Sequence, residues 1–168
     1  MSDMLVRLYD LPETVEVPTS LSSRGILIKR PLPQNKMAVV DYVKATFGSG
    51  WAGETDVCFS NKPLSCFIAL HDDRLIGFAC YDATCLDYFG PIGVSKDYRG
   101  QGIGKILLLK SLVAMRETGY AYAIIGGVED AAPFYEKAVD AIMIPDSFPG
   151  IYARAIGIER VMREKRGT

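Results

Sequence analysis

The chain has 168 residues, of which 49% are hydrophobic and 23% charged, and its formal net charge is −1. This size and balance suit one globular domain with a substantial core and exclude disorder as the main state. Interspersed charges of both signs argue against a nucleic-acid-binding face, which needs a basic surface to neutralise phosphates.

In chain order, residues 1–25 read as a peripheral segment: a strand over 4–9, then a connection rich in Pro, Ser and Thr. Ile26 to Arg30 reads as a short strand ended by Pro31-Leu32-Pro33. Asn35 is placed to cap a helix from Lys36 to Phe47, with Met37, Val40, Val43 and Phe47 on one face at helical spacing. Gly48-Ser49-Gly50 breaks that pattern, and residues 51–61 read as a second short helix and loop.

Residues 64–70 and 75–81 are rich in apolar and aromatic side chains and form a hairpin through His71-Asp72-Asp73-Arg74. The one histidine of the chain therefore reads as a solvated turn residue, and zinc sites needing several imidazoles are excluded. The next strand, 86–94, is interrupted by Gly90-Pro91, where a bulge or a failure of the ladder is expected. The helix from Gly102 to about Thr118 is apolar around most of its circumference and so mostly buried. Residues 120–125 then read as a strand, 131–138 as a short helix, and 141–144 and 151–156 as strands. Strands alternating with helices after a hairpin imply a mixed α/β sheet. Cys58, Cys66, Cys80 and Cys85 lack Cys-x-x-Cys spacing and lie in or beside strand-like stretches, as reduced core thiols do.

Residues 94–105 carry the most information. A strand ends at Val94, Gly100, Gly102 and Gly104 crowd around Arg99, and the buried helix begins beside Lys105. A helix start presents amides without intrahelical partners and a partial positive charge, and glycines let phosphate oxygens approach those amides. The spacing is neither a Walker loop nor a dinucleotide fingerprint.

The pattern Arg-x-x-Gly-x-Gly at Arg99 to Gly104 resembles the acyl-CoA-binding motif of the GNAT family of N-acyltransferases. Ala131-Ala132-Pro133-Phe134-Tyr135-Glu136-Lys137 is similar to that family's second signature. Two positions depart from it. Val139-Asp140 stands where the family has Gly-Phe, and Asp140 can itself take the left-handed helix-ending conformation. No Asn precedes the second helix, where Val128-Glu129-Asp130 stands.

The resemblance implies a mostly antiparallel mixed sheet of about six to seven strands, splayed at its centre and flanked by about four helices. It implies acetyl-CoA as the cofactor, with Arg99, Gly100, Gln101, Gly102, Ile103, Gly104 and Lys105 at its phosphates. Ile92, Gly93 and Val94 would pair with its pantetheine arm. Tyr135 matches the position from which a phenol reaches the CoA sulfur as general acid. Asp87 is the nearest candidate base, with Glu54, Asp56, Asp82 and Glu129 as alternatives. An acyl-cysteine route through Cys85 is disfavoured because nothing adjacent in the sequence lowers its pKa. Trp51, Glu54, Tyr88, Phe89 and Tyr152 are candidates for the acceptor pocket, where aromatics serve a sugar, an amino acid or an amine antibiotic, or else the core.

The expected function is direct acetyl transfer from acetyl-CoA to the amine of a small molecule or peptide. The alternatives are a catalytically weak acyl-CoA-binding sensor and a phosphate-binding protein sharing only the Gly-rich turn. No apolar run reaches the ~18 residues of a membrane span, and no signal-peptide pattern opens the chain, so a soluble cytoplasmic protein is expected. An exposed strand edge would permit a homodimer.

Overall fold

The computed structural model describes residues 2–158. The elements run β1 (Met4–Arg7), α1 (Thr19–Ser22), β2 (Ile26–Lys29), α2 (Lys36–Phe47), α3 (Ser49–Cys58), β3 (Cys66–His71) and β4 (Arg74–Tyr81). They continue with β5 (Tyr88–Val94), α4 (Ile103–Glu117), β6 (Tyr122–Ile125), α5 (Ala132–Val139) and β7 (Ile142–Met143). The seven strands make one sheet in the order β2-β3-β4-β5-β6-β1-β7. Every neighbouring pair is antiparallel except β5 and β6, which are parallel.

Helices cover both faces of the hairpin β3–β4, which is why its residues are apolar without alternation and almost all buried. On one side Val39 and Val43 of α2 and Ala52 and Cys58 of α3 pack on Ile68, Leu70, Phe78 and Cys80. On the other, α4 packs Leu107, Leu108, Leu112 and Met115 against Ala69, Ala79 and the β1 residues Met4 and Val6. Ten of the fifteen α4 residues are buried. Each large apolar side chain so buried contributes about 1.5–3 kcal/mol, so α4 is fixed by its whole length and its first turn cannot drift.

The N-terminal segment is not peripheral. Strand β1 lies inside the sheet between β6 and β7, with Leu5 opposite Ile124 on one side and Ile142 on the other. The chain then turns into a 3-10 helix at Leu8–Asp10, so the expected strand ends at Arg7. The connection beyond it is strapped to α4. Lys110 Nζ donates to the Val15 carbonyl, and the Arg116 guanidinium donates to the carbonyls of Leu8, Leu11, Pro12 and Glu13.

At the other terminus the strand expected over 151–156 is absent; Gly150–Arg154 is a 3-10 helix. Strand β7 pairs with β1 on one side and forms the edge of the sheet on the other. Two smaller expectations also shift. Asn35 caps the preceding turn, its Oδ1 accepting from the Leu32 N–H, and makes no cap on α2. The buried stripe of α2 contains Val39 rather than Met37, which is exposed.

Helix α5 ends as expected on Asp140, whose φ of 51° and ψ of 37° are left-handed. A β-branched residue tolerates that conformation poorly, at a cost of about 1–2 kcal/mol. Asp140→Val is therefore expected to lower the unfolding free energy in a urea titration by that amount, while Asp140→Gly leaves it nearly unchanged.

Candidate active site

Strands β5 and β6 pair over only two positions, Tyr88 with Ile124 and Phe89 with Ile125. Beyond them Gly90 takes a φ of 125°, and Pro91 has no N–H to offer. The ladder to β4 slips by one residue there, between Phe89 opposite Tyr81 and Ile92 opposite Ala79. The interruption expected at Gly90-Pro91 is thus a bulge that steers β5 away from β6. Between the separating strands lies a groove of about 1100 Å³.

One wall of the groove is the β5 segment Ile92, Gly93 and Val94, and one end is the turn Arg99–Gly100 with the start of α4, Gly102 to Lys105. Gly100 and Gly102 have φ of 74° and 86°, and a Cβ on either would meet no atom within 4 Å. They are therefore glycines for their backbone conformation, and their lack of side chains leaves the approach to the helix start open. The Ile106 N–H is the first to find an intrahelical partner, the Gly102 carbonyl, so the amides of Ile103, Gly104 and Lys105 remain available.

Gly93 answers a different constraint. A Cβ there would come within 2.6 Å of the Phe47 ring. That ring packs in turn against Trp51 and Phe78, at centroid separations of 5.6 and 5.4 Å.

The charged residues at this end divide their roles. Arg99 lines the groove, but its Nε donates to the Val94 carbonyl at 3.0 Å and so ties the loop to the strand it leaves. Gln101, expected at the phosphates, is not among the lining residues. Its amide bridges the Asp97 carbonyl and the Arg24 guanidinium, which braces the loop from outside. Lys137 on α5 lines the groove as well; in the sequence it is one more charge on a short helix, although it stands two residues after Tyr135. His71 is not a free turn residue: its Nδ1 bonds the Tyr98 hydroxyl at 2.8 Å, and Tyr98 lines the groove.

Tyr135 projects from α5 into the groove, its ring edge-on to Phe89 and Phe134. It is only 6% exposed, and burial pushes its pKa up to about 12, so the phenol keeps its proton across the neutral range.

At the end nearer the start of β5, Trp51, Glu54 and Tyr152 line the groove. Glu54 Oε1 accepts a 2.6 Å hydrogen bond from Thr84 Oγ1. Tyr152 arrives on the 3-10 helix, and its hydroxyl occupies the space that a side chain at Gly126 would need. Burial, then the nearby charges of Glu54 and Asp3, raise the Tyr152 pKa. Tyr88 lies outside the lining and donates its hydroxyl to Asp3 Oδ2 at 3.3 Å. Asp3 is 5% exposed, a buried carboxylate that nothing in the local sequence sets apart from a surface acid.

The remaining carboxylates sort by position. Asp87 is not part of the lining; its backbone holds the β4–β5 connection, donating to Asp82 Oδ1 and accepting from the Ile124 N–H, both at 2.8 Å. Asp56 pairs with Lys36 at 3.0 Å. The side chain of Glu129 lies outside the described residues. Cys58, Cys66 and Cys80 are buried free thiols. Burial and then Asp82, Asp87 and Asp3 raise the Cys85 pKa, opposite to what an acyl-cysteine nucleophile requires.

Asp87 generates a stability prediction. Its Oδ1 is buried without a partner among the described residues, and burial, then Asp82, raises its pKa. The native state thus holds the proton more tightly than the unfolded chain, and the ionised form is a cost that grows as pH rises through the two values. Asp87→Asn, which also suits the φ of 69° at this position, is expected to raise the urea midpoint at pH 7 and to lose that advantage at pH 3.

Residues 62–138 match the family model described as the acetyltransferase (GNAT) domain. A search of curated proteins finds no match. Among solved structures, the GCN5-related glucosamine N-acetyltransferase region of a fungal multi-domain GH3 β-N-acetylglucosaminidase is similar, with a TM-score of 0.65 at 16% identity. The similarity covers 85% of this chain and 19% of that one. A GCN5-related N-acetyltransferase from Sphaerobacter thermophilus has a TM-score of 0.61 at 18% identity, covering 85% of this chain and 48% of that one. A GNAT family N-acetyltransferase from Escherichia coli, solved in complex with CoA, has a TM-score of 0.53 at 21% identity, covering 71% and 70%. The chain thus spans less than half the length of the first two. With its splayed seven-stranded sheet the chain has the GNAT fold, and its residues 62–138 match the GNAT acetyltransferase domain.

Proposed function

We propose that this protein is an N-acetyltransferase that moves the acetyl group of acetyl-CoA directly to an acceptor amine. The reading rests above all on one groove that joins bare helix-start amides at one end to a buried phenol and a carboxylate farther along. The residues fit the cofactor. Open amides at Ile103 to Lys105, with Arg99, Lys105 and Lys137, offer hydrogen bonds and positive charge to a diphosphate, and β5 beyond Phe89 has an edge turned from β6 for an amide-bearing arm. The Escherichia coli relative crystallised with CoA lends support.

When bound, acetyl-CoA supplies a thioester whose carbonyl carbon an amine attacks, with the C–N bond forming as the C–S bond breaks. Trp51, Tyr152 and Glu54 receive the acceptor. Glu54, held by Thr84, takes the proton that the amine loses; it is preferred to Asp87 because it lines the groove. Tyr135 donates its O–H to the departing sulfur. Asp130 lines the groove beside the α5 start and is given no chemical role. The setting is a soluble cytoplasmic enzyme; among the described residues no helix is long and apolar enough to cross a membrane.

The first test is calorimetry. Acetyl-CoA and CoA should bind and raise the thermal midpoint, and ATP should not. Thiol release from acetyl-CoA is then followed across a panel of amines that includes glucosamine, lysine peptides and aminoglycosides. Binding without transfer to any amine would favour the sensor reading, and no binding would sink both.

Tyr135→Phe should lower kcat by about 10²- to 10⁴-fold with CoA affinity unchanged, and Glu54→Gln should do the same while removing the acidic limb of the pH–rate profile. An unaltered limb in Glu54→Gln would return the base to Asp87 or to solvent.

A further inference from the structure

We infer that Asp3, carried into the sheet by the N-terminal strand, is the residue that sets the acceptor end of the groove. This inference rests on the acetyltransferase reading and assigns Asp3 a positioning role, since no reacting atom needs to touch it.

Four contacts converge on this one residue. Its carboxylate Oδ1 accepts from the Gly127 N–H at 3.0 Å, and Oδ2 accepts from the Tyr88 hydroxyl at 3.3 Å. Its backbone N–H donates to Ser147 Oγ at 2.7 Å, and its carbonyl accepts from the Ile144 N–H at 2.9 Å. Each contact leads to a part of the groove or its support. Gly126 and Gly127 form the wall that faces the parting β5. Tyr88 sits at the last pairing of β5 with β6, where the separation begins. Ser147 and Ile144 belong to the segment leading to Gly150–Arg154, the turn that carries Tyr152 into the groove.

A carboxylate buried to this degree is costly unless its oxygens are hydrogen-bonded, and here both are. The bonds are charge-assisted, so they are stronger and more directional than neutral ones. Gly127, at a φ of 61°, gains a fixed amide direction that its own sequence does not impose. Gly126 in turn must stay bare for the Tyr152 hydroxyl to lie over it. Asp3 therefore fixes one wall, the hinge of the splay and the Tyr152 strap relative to one another, whereas the diphosphate end is fixed by α4. The two ends are held by different residues, so they can be uncoupled by mutation. Transfer needs the amine within about 3–3.5 Å of the carbonyl carbon, and a misplacement of about 1 Å costs roughly 100-fold.

The experiment compares Asp3→Ala, Asp3→Asn and the wild-type protein by hydrogen–deuterium exchange and by steady-state kinetics. Exchange is measured for the Gly127 amide and for residues 144–154. Kinetics use the most reactive amine of the panel, and CoA affinity is read by calorimetry.

In Asp3→Ala, exchange at the Gly127 amide is expected to rise roughly 10-fold or more, as expected when a charge-assisted hydrogen bond is lost, while residues 144–154, tied by the backbone of residue 3, stay protected. The KM for the amine should rise by about the same factor, with CoA affinity and the KM for acetyl-CoA unchanged. Asp3→Asn retains an oxygen for the Gly127 N–H and should restore most of both. If Asp3→Ala fails to fold, Tyr88→Phe removes the hydroxyl that donates to Asp3 Oδ2 and should raise Gly127 exchange and the amine KM in the same direction by a smaller factor.

Unchanged exchange at Gly127 in Asp3→Ala, or in Tyr88→Phe where that variant stands in for it, would overturn the inference. So would an equal loss of CoA affinity and amine affinity. The exchange readout needs neither CoA nor turnover, so a failed acetyltransferase reading is told apart from a failed role for Asp3.

Discussion

The parting of β5 from β6 after two paired residues is the constraint on which the rest of the molecule depends. Two parallel strands held together along their length would leave no space between them and no free edge on β5. The bulge at Gly90-Pro91 ends the pairing, while β4 keeps hold of β5 on its other side through Ile92, Gly93 and Val94. The strand is thus anchored along one edge and open along the other. The downstream segments inherit this position: β5 delivers the Gly-rich turn, the turn delivers the start of α4, and the groove runs between them.

Rigidity at the helix start comes from burial far more than from local chemistry. A helix-terminus charge effect contributes about 0.3–1 kcal/mol in exposed settings, whereas each fully buried leucine of α4 contributes about 1.5–3 kcal/mol. Leu107, Leu108 and Leu112 have no exposed surface at all. The open amides are therefore held in place by side chains farther along the same helix, and Gly100 and Gly102 can adopt left-handed conformations there without a structural counterweight of their own.

The parts legible in the sequence are those whose cause is local. The hairpin over β3 and β4, the buried helix α4, the left-handed end of α5 at Asp140 and the break at Gly90-Pro91 each arise from residues adjacent in the chain. The placement of β1 is not local, because its pairing with β6 joins residues more than a hundred positions apart, and no periodicity of Met4–Arg7 names the partner. Residues 151–156 show the same limit. Their apolar pattern suits a strand, yet the chain folds into a 3-10 turn that carries Tyr152 to the groove, a placement set by contacts with residues far away in the chain. Asp3 is invisible in the sequence for the same reason: its bonding partners Tyr88, Gly127, Ile144 and Ser147 are all distant along the chain.

The raised pKa of Tyr135 limits what its proton can do in the proposed transfer. A phenol pushed up to about 12 by burial is a weaker acid than an ordinary thiol, so complete proton transfer to a free thiolate would be uphill. In the proposed transfer Tyr135 would therefore act as a hydrogen-bond donor that strengthens as charge gathers on the sulfur. A low-dielectric site favours such a donor because it need not reorganise. The proton the thiol finally keeps must be matched by one released from the attacking nitrogen, which becomes strongly acidic once it is bonded to the carbonyl carbon. Burial of Tyr135 between Phe89 and Phe134 serves both halves of this requirement. It keeps the phenol neutral, and in the proposed transfer it would favour return of the proton if a phenolate began to form.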